Sequence, residues 1–173
     1  MRFFIFVGVL SALVFSFVAC ASPTPTVTPV PQKFDARVAM PCDIFTRDEA
    51  AQLLGKPVNM TTMGSVEDLA QAEFVTCAYL TQEARPSGIA ITLFGRRNAD
   101  NALKLFQETK TASAAQNKFT LVSDLGEEAF WNGSMLFVRR GEQVIGVTGA
   151  RSISSNDLEM VKQVAEKVLS RLE

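Results

Sequence analysis

The 173-residue chain contains no histidine. Histidine is the commonest general base, the commonest metal ligand and the usual proton switch near neutral pH. Its absence excludes Ser-His-Asp and Cys-His catalysis within this chain. Without imidazole, the cysteines are too few for the usual four-ligand zinc site. We therefore predict no metal site and no cofactor.

Short motifs that bind nucleotides or activate a serine are also missing. The chain has no Gly-x-Gly-x-x-Gly or Walker loop, no Gly-x-Ser-x-Gly elbow and no Ser-x-x-Lys pair. Its carboxylate pairs are Asp48-Glu49, Glu67-Asp68 and Glu127-Glu128. Adjacent residues do not face each other on a helix or strand, so these pairs favour surface, capping or turn roles over acid–base catalysis. An enzyme is the least favoured class of function.

Net charge is close to zero, with 17 basic against 18 acidic residues. A protein that binds nucleic acid needs a clustered basic surface to neutralise phosphates. The balance therefore predicts no nucleic-acid partner. The length is that of one domain with a short appendage.

The N-terminus has the composition of an export signal. Arg2 is followed by seventeen uncharged residues, Phe3 to Ala19, with small residues before position 20. An apolar stretch of this length also lies at the lower limit for spanning a bilayer, so periodicity alone leaves an uncleaved anchor open. Phe17-Val18-Ala19-Cys20 resembles the lipobox of bacterial lipoproteins, in which small residues precede the lipidated cysteine. The resemblance implies that residues 1–19 are a lipoprotein signal peptide and that Cys20 carries more than one acyl chain, enough for stable anchoring.

Three cysteines in an exported chain leave one unpaired. If Cys20 carries lipid, Cys42 and Cys77 remain as a candidate disulfide, which an oxidising compartment permits. The protein is expected outside the cytoplasm, anchored by lipid to a bacterial membrane.

Residues 20–40 read as a linker. Four of the nine residues from Pro23 to Pro31 are proline, and three of the others are threonine. Proline fixes φ and removes a hydrogen-bond donor, so this segment favours extended polyproline II. A spacer that lifts the domain from the lipid surface is the favoured interpretation, and a proline-rich partner site is the alternative.

Residues 41–173 are predicted to form a single α+β domain. A capping box at Thr46 to Glu49 begins a helix that ends before Gly55-Lys56-Pro57. A second helix begins at Asn98. The third has a helical apolar stripe from Leu158 to Leu172.

Strand patterns lie between these helices. The stronger candidates are 74–80, 89–94, 129–131, 135–138 and 143–148, and the weaker ones are 58–63 and 119–122. Asn132-Gly133 and residues 139–142 are predicted hairpin turns. Hairpin connections predict a mostly antiparallel sheet, with about three helices packed on it.

Four short motifs are distributed along residues 41–172. They are Pro41-Cys42 before a helix ending in Leu54-Gly55, Cys77-Ala78-Tyr79, Leu125-Gly126-Glu127-Glu128-Ala129, and a closing helix ending in Leu169-Ser170-Arg171-Leu172. Together they resemble small bacterial surface lipoproteins of unknown function with a PsbP-like α/β/α domain. The resemblance implies an α/β/α sandwich with Cys42 and Cys77 as a disulfide pair, and it implies no specific chemistry.

Two residue groups are candidates for binding. Arg96-Arg97 and Arg139-Arg140 sit at predicted strand ends and could share one rim as a patch for an anion or a lipid headgroup; protection of the sheet edge is the plainer alternative. Tyr79, Phe130 and Trp131 could line an apolar pocket, but large aromatics on strands beside a turn usually pack into the core.

The sequence therefore favours a non-catalytic binding or scaffolding module in the cell envelope. Its partners are the membrane, through the N-terminal lipid, and an envelope protein or glycan. A carrier of a small apolar ligand is the alternative, and a histidine-free enzyme ranks last.

Overall fold

A computed structural model describes residues 32–35, 39–63, 73–95, 98–150 and 157–172. The predicted signal peptide, Cys20, Arg96-Arg97 and Glu67-Asp68 lie outside these residues. In chain order the elements are α1 (Pro41–Ile44), α2 (Arg47–Leu54), β1 (Val58–Met63), β2 (Phe74–Thr81), β3 (Gly88–Phe94), α3 (Ala99–Ala115), β4 (Thr120–Val122), β5 (Glu128–Trp131), β6 (Met135–Arg140), β7 (Gln143–Ala150) and α4 (Asp157–Arg171).

The three predicted helices are confirmed, together with the predicted start and end of α2 and the predicted start of α3. Thr46 and Glu49 form the predicted capping box on α2, and Gly55 ends that helix in the left-handed conformation at φ 66°. Asn98 caps α3 by accepting hydrogen bonds from the backbone N–H groups of Asp100 and Asn101. One short helix, α1, was not predicted; a single turn starting at Pro41 has too few residues for an apolar period.

The strands form one seven-stranded antiparallel sheet in the order β1-β2-β3-β7-β6-β5-β4. This confirms the α+β class. Both weak strand candidates are present, as β1 and β4. The chain builds β1-β2-β3 in succession, crosses over with α3, and builds β4 to β7 back from the far edge, so that β3 and β7 pair in the centre.

Helices pack on both faces of this sheet. Along β7, Ile145 and Val147 join the core formed with α1, α2 and α4, whereas Val144 joins Ala102 and Phe106 of α3. Alternate residues of a strand point to opposite faces, so α3 covers one face and the other helices cover the opposite face. The larger core lies under α4, whose Val161, Val164, Ala165 and Val168 are fully buried.

One local prediction needs correction. Arg139 and Arg140 belong to β6, not to a loop, and the turn consists of Gly141 and Glu142. Gly141 has φ 57°, so glycine allows a two-residue turn that keeps the strands paired up to Arg140 and Gln143. The predicted turn at Asn132-Gly133 is present, with the Asn132 side chain accepting hydrogen bonds from the backbone N–H groups of Ser134 and Met135.

The domain also begins earlier than residue 41. Phe34 packs against the main core and forms a parallel bridge to Leu172. Lys33 donates from Nζ to the carbonyl oxygen of Ser170 at 2.8 Å. This part of the segment predicted as a linker is therefore held beside the end of α4, because the apolar Phe34 side chain packs against the core.

Candidate functional site

An open groove lies where the ends of β2 and β3 meet the first half of α3, and we call it the α3 groove. Its volume is about 560 Å³. The apolar lining comes from Phe74, Phe94, Ala102 and Leu105. Phe74 is 50% exposed and Leu105 is 39% exposed, so both present apolar surface to solvent. Exposed large apolar groups grouped in a concave surface are typical of a binding site.

Gly95 lets α3 approach the sheet closely at this groove. Its φ is +77°, and a Cβ placed on it would lie 2.5 Å from Cβ of Ala102. Any other residue would be strained and would collide with α3. The Gly95 backbone N–H donates to the carbonyl oxygen of Glu73 at 3.1 Å, which ties the two strand ends together at the base of the groove.

A row of phenylalanines connects the groove floor to the core under α3. Successive ring centroids are separated by 6.2 Å from Phe74 to Phe94, 6.1 Å from Phe94 to Phe137 and 5.1 Å from Phe137 to Phe130. Gly146 of β7 leaves room for this row, since a Cβ there would lie 3.0 Å from the Phe94 ring. The exposed Phe74 ring is thus the outer end of a packed aromatic chain, which makes the floor a pre-formed surface.

Half of the residues that line the groove are polar or charged. They are Glu73, Asn98, Asn101, Lys104 and Glu108. Asn98 already accepts two capping hydrogen bonds, and Lys104 lies 3.9 Å from Glu108 across one turn of α3. Asn101 and Glu73 are exposed and available to orient a bound group. The groove therefore combines apolar surface for contact with polar groups that can orient a partner.

Cys42 and Cys77 form a disulfide, as the cysteine count suggested and the resemblance implied. It joins the turn of α1 to the middle of β2, with Cys77 fully buried. The Thr62 hydroxyl lies 3.5 Å from Sγ of Cys42. The bond therefore fixes the N-terminal segment of the domain on the β1-β2 side of the sheet.

The four arginines of the predicted anion patch are not shown together. Arg139 donates from Nη1 to Glu127 at 2.5 Å and lies 3.7 Å from Glu128. Arg140 donates from Nη1 to the carbonyl oxygens of Leu169 and Leu172, at 2.7 and 3.1 Å. The last backbone carbonyl groups of a helix are often bound by an arginine side chain, and here Arg140 reaches those of α4 from β6. Both described arginines thus have protein partners, and Arg96 and Arg97 lie outside the described residues.

The aromatic residues singled out from the sequence belong mainly to the core. Tyr79 and Phe130 are fully buried, and Trp131 is partly buried against the main core. Burial raises the pKa of the Tyr79 phenol, and the charges of Glu49 and Asp43 raise it further. The phenol therefore stays protonated and donates its hydrogen to the carbonyl oxygen of Phe45. These residues do not line the α3 groove.

Glu49 has a larger role than the capping function its position suggested. Arg171 donates two hydrogen bonds to its carboxylate, at 2.7 and 2.9 Å, and Lys167 lies 2.7 Å from Oε1. Burial alone would raise the pKa of Glu49, but the bonds from Arg171, Lys167 and the Thr46 backbone outweigh it and lower the pKa to about 2. This cluster joins the start of α2 to the end of α4, a pairing of residues 122 positions apart that no local pattern reveals.

The Glu127-Glu128 pair is likewise engaged in ion pairs. The Lys110 ammonium of α3 donates to Glu128, and this bond, with the nearby Arg139 charge, lowers the pKa of Glu128 despite partial burial. Among the described residues, no group of three or more cysteine, aspartate and glutamate side chains could hold a metal ion. The carboxylates described here serve as structural links between elements.

Comparisons of the chain with models of protein families, with curated proteins and with solved structures found no significant match. No helix among the described residues is both long and apolar enough to cross a bilayer.

Proposed function

We propose that this chain is a lipid-anchored protein of the bacterial cell envelope and that its domain is a non-catalytic binding module whose contact site is the α3 groove. The observation that carries the binding role is the exposed apolar floor formed by Phe74 and Leu105. Burial of two such side chains by a partner removes apolar surface from water, the main favourable term in association.

The location rests on two features that fit together. Cys20 follows a secretory-type segment and matches the lipidated position of the lipobox. The Cys42–Cys77 disulfide is a bond that persists in oxidising compartments and is rare in the cytosol. The likeness to small surface lipoproteins with a PsbP-like domain points to the same compartment and remains part of the proposal.

The non-catalytic role is supported by the state of the charged side chains. Ion pairs with lysine or arginine lower the pKa of both Glu49 and Glu128. A general base or acid needs a pKa near the working pH, and carboxylates held ionised by such partners are poorly matched to that task.

A second candidate is a carrier of a small apolar ligand. The groove volume of about 560 Å³ lies in the range of small-molecule sites, and its floor is apolar. The first candidate ranks higher because the groove is open and the Phe74 side chain on its floor is half exposed, which suits a large partner surface.

The test compares full-length protein purified from membranes with a Phe74→Ala/Leu105→Ala variant. We expect the wild type to capture an envelope protein or glycan by crosslinking, and the double variant to capture at least tenfold less, since central apolar contacts typically contribute about 1–2 kcal/mol each. Leu121→Ala is the matched control, because Leu121 is 65% exposed on β4, at the other edge of the sheet. Thermal unfolding checks that all three proteins are folded.

Each outcome of this test supports or contradicts a role for the α3 groove. Loss of capture in the double variant but not in Leu121→Ala supports the binding module. A small apolar molecule that co-purifies with wild type and is absent from the double variant supports the carrier. Equal capture by all three proteins, or no ligand of either kind, contradicts the assignment of the α3 groove.

A further inference from the structure

The strand β1 is an edge of the sheet with regular backbone geometry. All six of its residues pair with β2 in one uninterrupted register, from Val58 opposite Thr81 to Met63 opposite Thr76. No strand among the described residues pairs with its other side. An edge of this kind offers a row of backbone N–H and C=O groups to a further strand.

Natural sheets usually protect such an edge with charges, prolines, bulges or very short strands. The β4 edge follows this rule, since it is only three residues long and lies between Lys118 and Asp124. The β1 sequence Val-Asn-Met-Thr-Thr-Met has no charge, no proline and no bulge. Lys56 and Pro57 come before its first paired residue, and Lys56 is bound to Glu83.

Two large, exposed apolar side chains on β1 also favour pairing with a further strand. Met60 is 47% exposed and Met63 is 52% exposed. Methionine is flexible and adapts its shape to a neighbouring surface. An edge strand of six uncharged residues, four of them exposed, with two such side chains has the properties of a site for strand addition.

We propose that the β1 edge binds the β1 edge of a second copy of this chain, antiparallel and about a two-fold axis, so that two sheets become one continuous sheet. In a two-fold interface the same surface patch is present on both sides. A strand with charges of one sign would therefore face like charges on its partner and be repelled. The uncharged β1 strand avoids this repulsion. The chain's own Pro/Thr segment is a poor occupant, because proline cannot donate to a strand ladder.

The side chains select the register of this pairing. Opposed residues of antiparallel strands point to the same face of the sheet. A two-fold axis perpendicular to the sheet must therefore place one residue opposite its own equivalent in the partner. An axis at Thr61 places Thr61 opposite its equivalent, Met60 opposite Thr62, and Met63 opposite Asn59. Both exposed methionines are then paired, and a Thr–Thr cross-strand pair is itself favourable.

Six paired residues bury less than the roughly 1,200 Å² typical of a stable interface, so we expect weak association in solution. On a membrane surface the effective concentration of the domain would be much higher. Only this increase requires the proposed lipid anchor. Self-association in solution does not depend on the anchor or on the α3 groove.

The test uses full-length protein in detergent over a hundredfold range of concentration. Hydrogen exchange at residues 58–63 should slow as concentration rises, and light scattering should report dimers at the upper end. Thr61→Lys introduces a like charge at the two-fold axis and should weaken association at least tenfold. Leu121→Lys places the same charge on the β4 edge and should leave association unchanged.

Thr61 is exposed, so the lysine variant should keep the wild-type melting temperature. Should that variant fail to fold, the wild-type exchange series decides alone. Exchange at residues 58–63 that is independent of concentration overturns the proposal, as does association of a folded Thr61→Lys protein with wild-type affinity. Loss of association in Leu121→Lys would place the contact elsewhere and also overturn it.

Discussion

Loss of the Cys42–Cys77 disulfide should lower the free energy of unfolding by about 4 kcal/mol and the melting temperature by about 8–16 °C. The bond spans a sequence separation of 35 residues, and opening it restores the loop-closure entropy of the unfolded chain. A domain of this size has a free energy of unfolding of only about 5–15 kcal/mol, so the loss is a large share of its stability. Thermal or denaturant unfolding of Cys42→Ala/Cys77→Ala measures it.

Wild-type protein under a reducing agent is the matched control for this variant. It keeps both sulfur atoms and removes only the cross-link, so its melting temperature should fall with that of the double variant. The end of α1 should then exchange its amide hydrogens faster, because Cys42 is the residue that joins this turn to β2. Oxidised and reduced wild type that melt at the same temperature would contradict the stabilising role of the bond.

Glu49→Gln should lower the free energy of unfolding by roughly 2–3 kcal/mol at pH 7 and should remove the part of the domain's acid sensitivity that Glu49 causes between about pH 4.5 and pH 2. The carboxylate has a pKa of about 2 in the folded protein, lowered by Arg171 and Lys167 against the opposing effect of burial. A folded-state pKa below the unfolded value gives stability that is present above the unfolded pKa and is lost as the pH falls toward the folded one. Denaturant unfolding from pH 7 to pH 2 measures this loss.

The difference between wild type and Glu49→Gln should therefore shrink steadily below about pH 4.5. Glu159→Gln is the control on α4, since Glu159 is 74% exposed and lies 3.6 Å from Lys162. An exposed pair of that kind contributes little, so its variant should follow the wild-type curve. Parallel pH curves for wild type and Glu49→Gln would contradict the assignment of this carboxylate as the link between α2 and α4.

Features set by local patterns could be predicted from the sequence. The capping box at Thr46, the cap at Asn98 and the apolar stripe of α4 each lie within one turn or one helix face, and all three were correct. The hairpin turn at Asn132-Gly133 was also visible, because glycine permits the positive φ the turn needs. Strand patterns joined by such turns predicted the antiparallel sheet.

Features that depend on long-range packing could not be read in this way. Phe34 looked like part of a linker because its partner, Leu172, lies at the other end of the chain. The sequence pattern around Glu49 indicates a cap alone, since its partner Arg171 lies 122 positions away in the sequence. Arg139 and Arg140 looked like loop residues because a two-residue turn and a four-residue loop share the same polar composition.

The α3 groove was hidden for the same reason. Phe74 and Phe94 lie in predicted strands, and Leu105 lies in the predicted second helix, where no local pattern distinguishes it. Only the antiparallel register, which places Phe74 opposite Phe94, and the crossing of α3 over the adjacent strands bring them to one surface. Side-chain exposure, rather than residue type, distinguishes them from the buried Phe106 and Phe130.

The central claim is that Cys20 carries lipid and that the domain works outside the cytoplasm. Mass spectrometry of the intact protein extracted from bacterial membranes tests it most directly. We predict a mature chain that begins at an acylated Cys20, with Cys42 and Cys77 linked. A chain recovered from the cytosol that begins at Met1, with a free Cys20 thiol, would contradict the account.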